Sequence, residues 1–185
     1  VSQFVGELMP ELGDRLEHYP GERPIFDLYG VEDEIQKALE RKVMLKSGGY
    51  LIIDPAEAMT TIDVNTGAFV GHRTLEETIF KTNLESATAI ARQLRLRDLA
   101  GLIVIDFIDM DERKNNASVE KRFKDRLKTD RARIQVGRIS GFGLMEMSRQ
   151  RLRPGMLEST TQPCAHCHGT GLIRSDDSMA LTILR

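Results

Sequence analysis

The run Gly101-Leu102-Ile103-Val104-Ile105-Asp106 constrains the fold of this 185-residue chain more than any other stretch. Unbroken apolar residues of strand length, closed by a glycine and an acid, predict a strand buried on both faces, in the centre of a sheet. The flanking sequence supplies helices. Upstream, Thr74 followed by Glu77 forms a capping-box pattern, and Phe80, Leu84, Ala87, Ala91 and Leu94 carry an apolar stripe to about Leu96. Downstream, Val119, Phe123 and Leu127 mark a basic helix over about 117–129, followed by strands at 134–139 and near 144–148. This alternation predicts an α/β fold.

The earlier part of the chain divides at residue 31. Residues 1–30 are punctuated by Pro10, Gly13, Pro20, Gly21, Pro24 and Gly30 into connecting structure with one strand at 24–28. Val31, Ile35, Ala38, Leu39 and Val43 then recur at helical spacing, and Ser47-Gly48-Gly49 stops the helix. Residues 50–54 and 58–65 form an antiparallel hairpin around Asp54-Pro55. Beyond Pro154 the composition turns polar, which places a domain boundary there. No apolar run approaches the length of a membrane span, and Val-Ser-Gln-Phe-Val at the start has neither a basic nor a signal-like apolar stretch, so a cytoplasmic location is expected. The chain opens on Val1 rather than methionine, which suggests a segment of a longer protein.

Net charge is −2, but it is unevenly spread. Residues 112–153 hold 13 basic and 5 acidic side chains, a local excess of +8 running from Arg113 to Arg153. That is the footprint of a polyanion site or a solvated helix face. With no tryptophan and 5% aromatic residues, base stacking supplies little affinity here.

Two acids stand where chemistry is expected. In Thr61-Ile62-Asp63-Val64-Asn65, strand alternation turns Asp63 and Asn65 to one face and Ile62 and Val64 to the other. Asp106 ends the apolar strand, where an α/β sheet opens onto its ligand crevice. Carboxylates from two neighbouring strands suit Mg²⁺, which takes one or two protein carboxylates and leaves other positions to water and phosphate. A capping or turn role is the alternative for such acids, and it fits Asp54 and Asp109. The apolar run ending in Asp106 also looks like a Walker B strand, but no G-x-x-x-x-G-K-[ST] occurs, which disfavours a P-loop ATPase.

Both cysteines fall in Cys164-Ala165-His166-Cys167-His168-Gly169-Thr170-Gly171. C-x-x-C in a polar, Gly-rich tail provides half of a tetrahedral zinc site; a redox pair would open a helix in a thioredoxin-like context. Either His166 and His168 complete the set or a second chain supplies two more thiolates, and the second is preferred because histidines so close would strain a mononuclear site.

Several ordered motifs resemble one family. Ile62-Asp63-Val64-Asn65-Thr66, Thr82-Asn83-Leu84-Glu85, the stretch from Ala91 to Leu99, and Ile103-Val104-Ile105-Asp106-Phe107-Ile108-Asp109-Met110 are similar to the catalytic core of the bacterial ribonuclease E/G family. So are Asp130-Arg131-Ala132-Arg133-Ile134-Gln135, Glu146-Met147-Ser148-Arg149-Gln150-Arg151 and the cysteine knuckle. The resemblance implies a mixed sheet flanked by helices in a deoxyribonuclease-I-like core. It divides the chain into a partial ribonuclease-H-like subdomain (1–45), the catalytic subdomain (46–158), a zinc link (159–174) and a tail (175–185). The family's oligonucleotide-binding and 5′-monophosphate-sensing regions have no counterpart among these residues.

The implied activity is Mg²⁺-dependent endonucleolytic cleavage of single-stranded RNA, leaving 5′-phosphate and 3′-hydroxyl ends, in rRNA maturation and mRNA decay. Asp63 and Asp106 match the metal-binding aspartates and Asn65 the asparagine that hydrogen-bonds to the first. Cys164 and Cys167 match the pair that shares one Zn²⁺ between protomers, implying a homodimer or a tetramer; His166 and His168 match no family ligand. Arg97 and Arg133 are candidate phosphate contacts, with structural ion pairs as their alternative. The competing function is a zinc-organised RNA-binding or assembly module that does not cut.

Overall fold

The computed structural model describes residues 2–67, 75–167, 169, 171, 175, 176 and 183. The chain divides into two compact units, Val1–Lys37 and Ala38–Arg185. The first unit holds helix α1 (Ser2–Leu8), a 3₁₀ turn (Pro10–Arg15), the short helix α2 (Ile25–Leu28) and most of α3 (Val31–Leu39). The strand expected at 24–28 is therefore a helical turn: the Leu28 and Tyr29 amides donate to the Pro24 and Ile25 carbonyls.

The second unit is built on a six-stranded sheet in the order β1-β2-β3-β4-β6-β5. Its strands are β1 (Lys42–Met44), β2 (Tyr50–Pro55), β3 (Met59–Asn65), β4 (Gly101–Asp106), β5 (Ile134–Ile139) and β6 (Leu144–Arg149). Helix α4 (Leu75–Leu96) joins β3 to β4, α5 (Arg113–Leu127) precedes β5, and a short α6 (Met156–Thr160) follows β6. Only β3 and β4 pair in parallel, as a strand–helix–strand crossover allows; the other pairs are antiparallel. The expected mixed sheet with helices is thus present. Residue 74, the expected α4 cap, lies outside the described residues. Among the described residues no helix is long and apolar enough to cross a membrane.

Two expectations fail for identifiable reasons. The helix starting at Val31 ends at Leu39, because Val43 faces Leu51 across an antiparallel ladder instead of extending the helical stripe. Gly48, at φ +94°, turns that hairpin, with the Gly48 amide donating to the Leu45 carbonyl. β4 lies inside the sheet as expected, but it is buried on one face only: Ile103 and Ile105 are covered, whereas Leu102 is 43% exposed and Val104 half-buried.

One face of the sheet contributes Leu51, Ile53, Ile62, Val64, Ile103, Ile105, Met145 and Met147 to the core. Against them lie Ala87, Ile90, Ala91 and Leu94 of α4 and Val119, Phe123 and Leu127 of α5. Each large apolar side chain so buried contributes about 1.5–3 kcal/mol. A one-residue slip of β3 would expel Ile62 and Val64 and drive Asp63 into this core, so the apolar set dictates which way Asp63 faces.

Candidate active site

The parallel register sets Asp63 directly opposite Asp106 on adjacent strands. Ile62 and Ile105, their predecessors, are fully buried, so both acids emerge on the open face of the sheet at its carboxyl end. Asn65, two residues along β3 on the same face, donates from Nδ2 to Asp63 Oδ2 at 2.8 Å. That bond occupies one carboxylate oxygen and leaves the other available. Partial burial raises the Asp106 carboxyl above its ordinary value, and the charges of Asp63 and Asp109 push it further the same way. Among the described residues no lysine or arginine forms an ion pair with Asp63, Asp106 or Asp109. Clustered carboxylates without a compensating cation suit a hard divalent ion, and Asp63 with Asp106 is the donor set Mg²⁺ accepts. No group of three or more His, Cys, Asp or Glu able to hold a metal occurs among the described residues, so other positions would fall to water and phosphate.

The segment after β4 is held by residues that the sequence did not single out for a role. Asn83, fully buried on α4, donates from Nδ2 to the Ile108 carbonyl at 2.7 Å and accepts from the Ile108 amide at 3.2 Å. Gly143, at φ +74°, lets the next turn close over this segment. A Cβ there would lie 2.7 Å from both Asp109 Oδ1 and the Phe107 carbonyl oxygen. The Phe107 amide donates to the Gly143 carbonyl at 3.1 Å. Asp109 follows Asp106 by one short turn and adds its charge to the cluster, a contribution beyond the turn role its position suggested.

Arg97 and Arg133 are not brought to the acids. Arg97 leads into the start of β4 and is 1% exposed, its Nε donating to Gln93 Oε1 at 2.7 Å. Both its Nη atoms are buried without a partner among the described residues, and burial lowers its pKa. Arg133 precedes Ile134, which faces Arg149 and through it Gly101, the far end of β4 from Asp106. At about 3.3 Å per residue the two ends of that strand are roughly 17 Å apart. Arg138, at the other end of β5, is an exposed cation on the acid side.

Cys164 is exposed, Cys167 half-buried, and neither forms a disulfide. The Cys167 and His166 amides and the Cys167 thiol donate to the Cys164 sulfur, holding its pKa below the usual thiol range. Two neighbouring sulfurs, one with a lowered pKa, are the donor chemistry of half a zinc site. Residue 168 lies outside the described residues.

Residues 1–152 match the sequence profile of the Ribonuclease E/G family, and residues 163–185 match that of the RNase E/G, Thioredoxin-like domain. The chain is 52% identical to ribonuclease G of Escherichia coli strain K12 over 183 residues, 99% of this chain and 37% of that protein. It is 50% identical to ribonuclease G of Haemophilus influenzae over 185 residues, all of this chain and 38% of that protein. It is also 50% identical to ribonuclease E of E. coli K12 over 176 residues, 95% of this chain and 17% of that protein. The chain therefore spans less than two-fifths of the length of the ribonuclease G relatives it matches. With its profile match covering both acids and the asparagine between them, the chain belongs to the ribonuclease E/G family.

Proposed function

We propose that this chain carries the cutting site of a cytoplasmic Mg²⁺-dependent endoribonuclease. Its substrate is single-stranded RNA, the products carry 5′-phosphate and 3′-hydroxyl ends, and the activity serves rRNA maturation and mRNA decay. The observation that supports this reading best is the register of Asp63 against Asp106 on parallel neighbours, with Asn65 bonded to the first acid. Bound Mg²⁺ would supply Lewis-acid polarisation of the phosphate and a more acidic water. Asp63 and Asp106 are the residues to hold it. Asn65 keeps one Asp63 oxygen engaged so that the other stays turned outward, as partners of metal-binding carboxylates do. Asn83 and Gly143 fix the chain immediately after Asp106, which limits how far its carboxylate can move relative to Asp63.

In the same reading, residues 46–158 form the catalytic subdomain and 159–174 a zinc link, after a partial ribonuclease-H-like subdomain over 1–45 and before a tail over 175–185. Cys164 and Cys167 supply two of four zinc thiolates, and a second chain supplies the others, giving a homodimer or, by further pairing, a tetramer. Metal analysis with light scattering checks the link: about half a zinc per chain in a chelator-sensitive dimer is expected. One zinc per monomeric chain would assign the site to a single protomer. Cys167→Ser should lose zinc and dissociate while the sheet stays folded.

The cleavage reading is tested with 5′-monophosphorylated single-stranded RNA in the presence and absence of Mg²⁺. Cutting that needs the ion is expected. Binding without cutting would favour the RNA-binding module instead.

A further inference from the structure

We propose that Phe142 is a stacking platform for a nucleobase beside the phosphodiester addressed by Asp63 and Asp106; the proposal rests on the endoribonuclease reading above. Phe142 is 85% exposed, more than any other large apolar side chain among the described residues. It occupies the turn at 140–143, between β5 and β6, where burial gains nothing from a ring. That turn is nevertheless firmly held. Ser140 Oγ accepts from the Phe142 and Leu144 amides at 3.2 and 3.3 Å. The Ser140 amide donates to the Leu144 carbonyl at 2.8 Å, and the Gly143 amide to the Ser140 carbonyl at 3.2 Å. The Gly143 carbonyl in turn accepts from Phe107, the residue after Asp106. Leu144, two positions beyond the ring, is the register partner of Asp106. A hydrogen-bonded turn thus places Phe142 two positions from the register partner of Asp106.

The surroundings fit a nucleotide better than a protein partner. Protein-docking aromatics lie within apolar patches cleared of charge. Here the turn neighbours are Ser140, Gly141 and Gly143, and the adjoining cleft, about 730 Å³, carries Arg113, Lys124 and Arg138 beside Asp109, Asp111 and Glu120. Glu120 is already engaged, its Oε1 accepting from the Ile139 amide at 2.9 Å, whereas the three cations form no ion pair among the described residues. A shift in register between Val136 and Ile139 takes Arg138 out of the regular ladder, the kind of irregularity that re-aims side chains beside active sites. An exposed ring on a turn that adjoins a cleft carrying unpaired cations suits a single strand held without sequence preference, since every base offers a π-face.

The test uses the full chain with a short single-stranded RNA and a matched RNA carrying one abasic position, moved along the strand. Phe142→Trp gives the sequence a single tryptophan where it has none. Its fluorescence should be quenched on adding RNA, and less so by the strand that is abasic at the stacking position. Phe142→Ala should raise the RNA concentration needed for half-maximal cleavage or binding by roughly tenfold. Tyrosine should restore it and leucine should not, and unchanged melting temperatures would exclude misfolding. On the best-placed abasic strand, wild type and Phe142→Ala should converge. If the wild type cuts and binds RNA but the alanine and leucine variants match it, the stacking role is overturned while the nuclease reading stands. If the wild type neither binds nor cuts, that reading fails and the stacking role falls with it.

Discussion

The two ends of the β4 strand treat charge in opposite ways. At the carboxyl end, Asp63, Asp106 and Asp109 lie exposed near one another, and among the described residues the side-chain hydrogen bond to Asp63 comes from the neutral Asn65. At the other end, one ion pair is buried and matched. Asp130 and Arg149 side chains are 2% and 3% exposed and meet at 2.9 Å, while Arg149 Nη1 donates to the Leu99 carbonyl at 3.0 Å. Arg153 pairs with Asp98, and Arg97 lies buried against Gln93. A buried pair holds the sheet in place, whereas carboxylates gathered without a cation weaken the fold and gain their value from a ligand. One end is thus built for stability, and in the proposed reading the other is kept for chemistry.

The largest expected effect separates the two assignments. Asp63→Asn or Asp106→Asn should lower cleavage by at least about a thousandfold, several kcal/mol of transition-state stabilisation, without lowering the melting temperature. Removing one charge relieves like-charge repulsion, so a slight rise in melting temperature fits the same picture. A variant that melts early would place a structural burden on the acid end and break the contrast.

Asp130→Asn should do the converse, costing about 3–5 kcal/mol of stability by leaving Arg149 buried and unpaired, with the folded protein still cutting. Burial pushes the Asp130 carboxyl up, but the hydrogen bonds from Arg149 and the Ala132 amide, with the charges of Arg149 and Arg95, outweigh it and hold the group below its ordinary value. A depressed carboxylate stabilises the fold above its unfolded pKa, about 3.9, and that contribution fades as pH falls through the lower folded value. Acid unfolding monitored below about pH 4 should therefore be less steep in Asp130→Asn than in the wild type.

Asn65→Ala should fall between these cases, lowering activity about 10–100-fold and weakening the response to Mg²⁺, since it orients a ligand without being one. The smallest effects concern the basic segment. Arg138→Glu, on the acid side, should weaken RNA binding several-fold and flatten its salt dependence by about 0.7 per lost phosphate contact. Arg133→Glu, at the far end, should do less; an equal loss would show that RNA runs the length of the strand.

Much of this was legible in the chain itself. β5 covers the expected residues, and the alternation around Ile62 and Val64 correctly turned Asp63 and Asn65 to one face. Other features depend on contacts remote in sequence. Val43 satisfies the helical stripe until Leu51 is available to pair with it. The apolar run in β4 reads as doubly buried because sequence cannot say that α4 and α5 share one face. Arg97 has the charge of an RNA contact but not the exposure, and charge alone carries no burial. Asn83 stands 25 residues from the carbonyl it holds, so only the folded crossover shows its role. Phe142 gives no periodic signal, since it belongs to neither a helix nor a strand.

If the acids without an ion pair at one end of β4 form a metal-dependent cutting site, cleavage must follow the ion and Asp106 together. The most direct measurement is a Mg²⁺ titration of RNA cleavage, run with the wild type and Asp106→Asn in parallel. Cutting should be absent in chelator and recover saturably with Mg²⁺ in the wild type, with at most a weak response from the variant even at high Mg²⁺. Cleavage by the wild type that persists in chelator, or a variant that recovers at the same Mg²⁺ concentration, would contradict it.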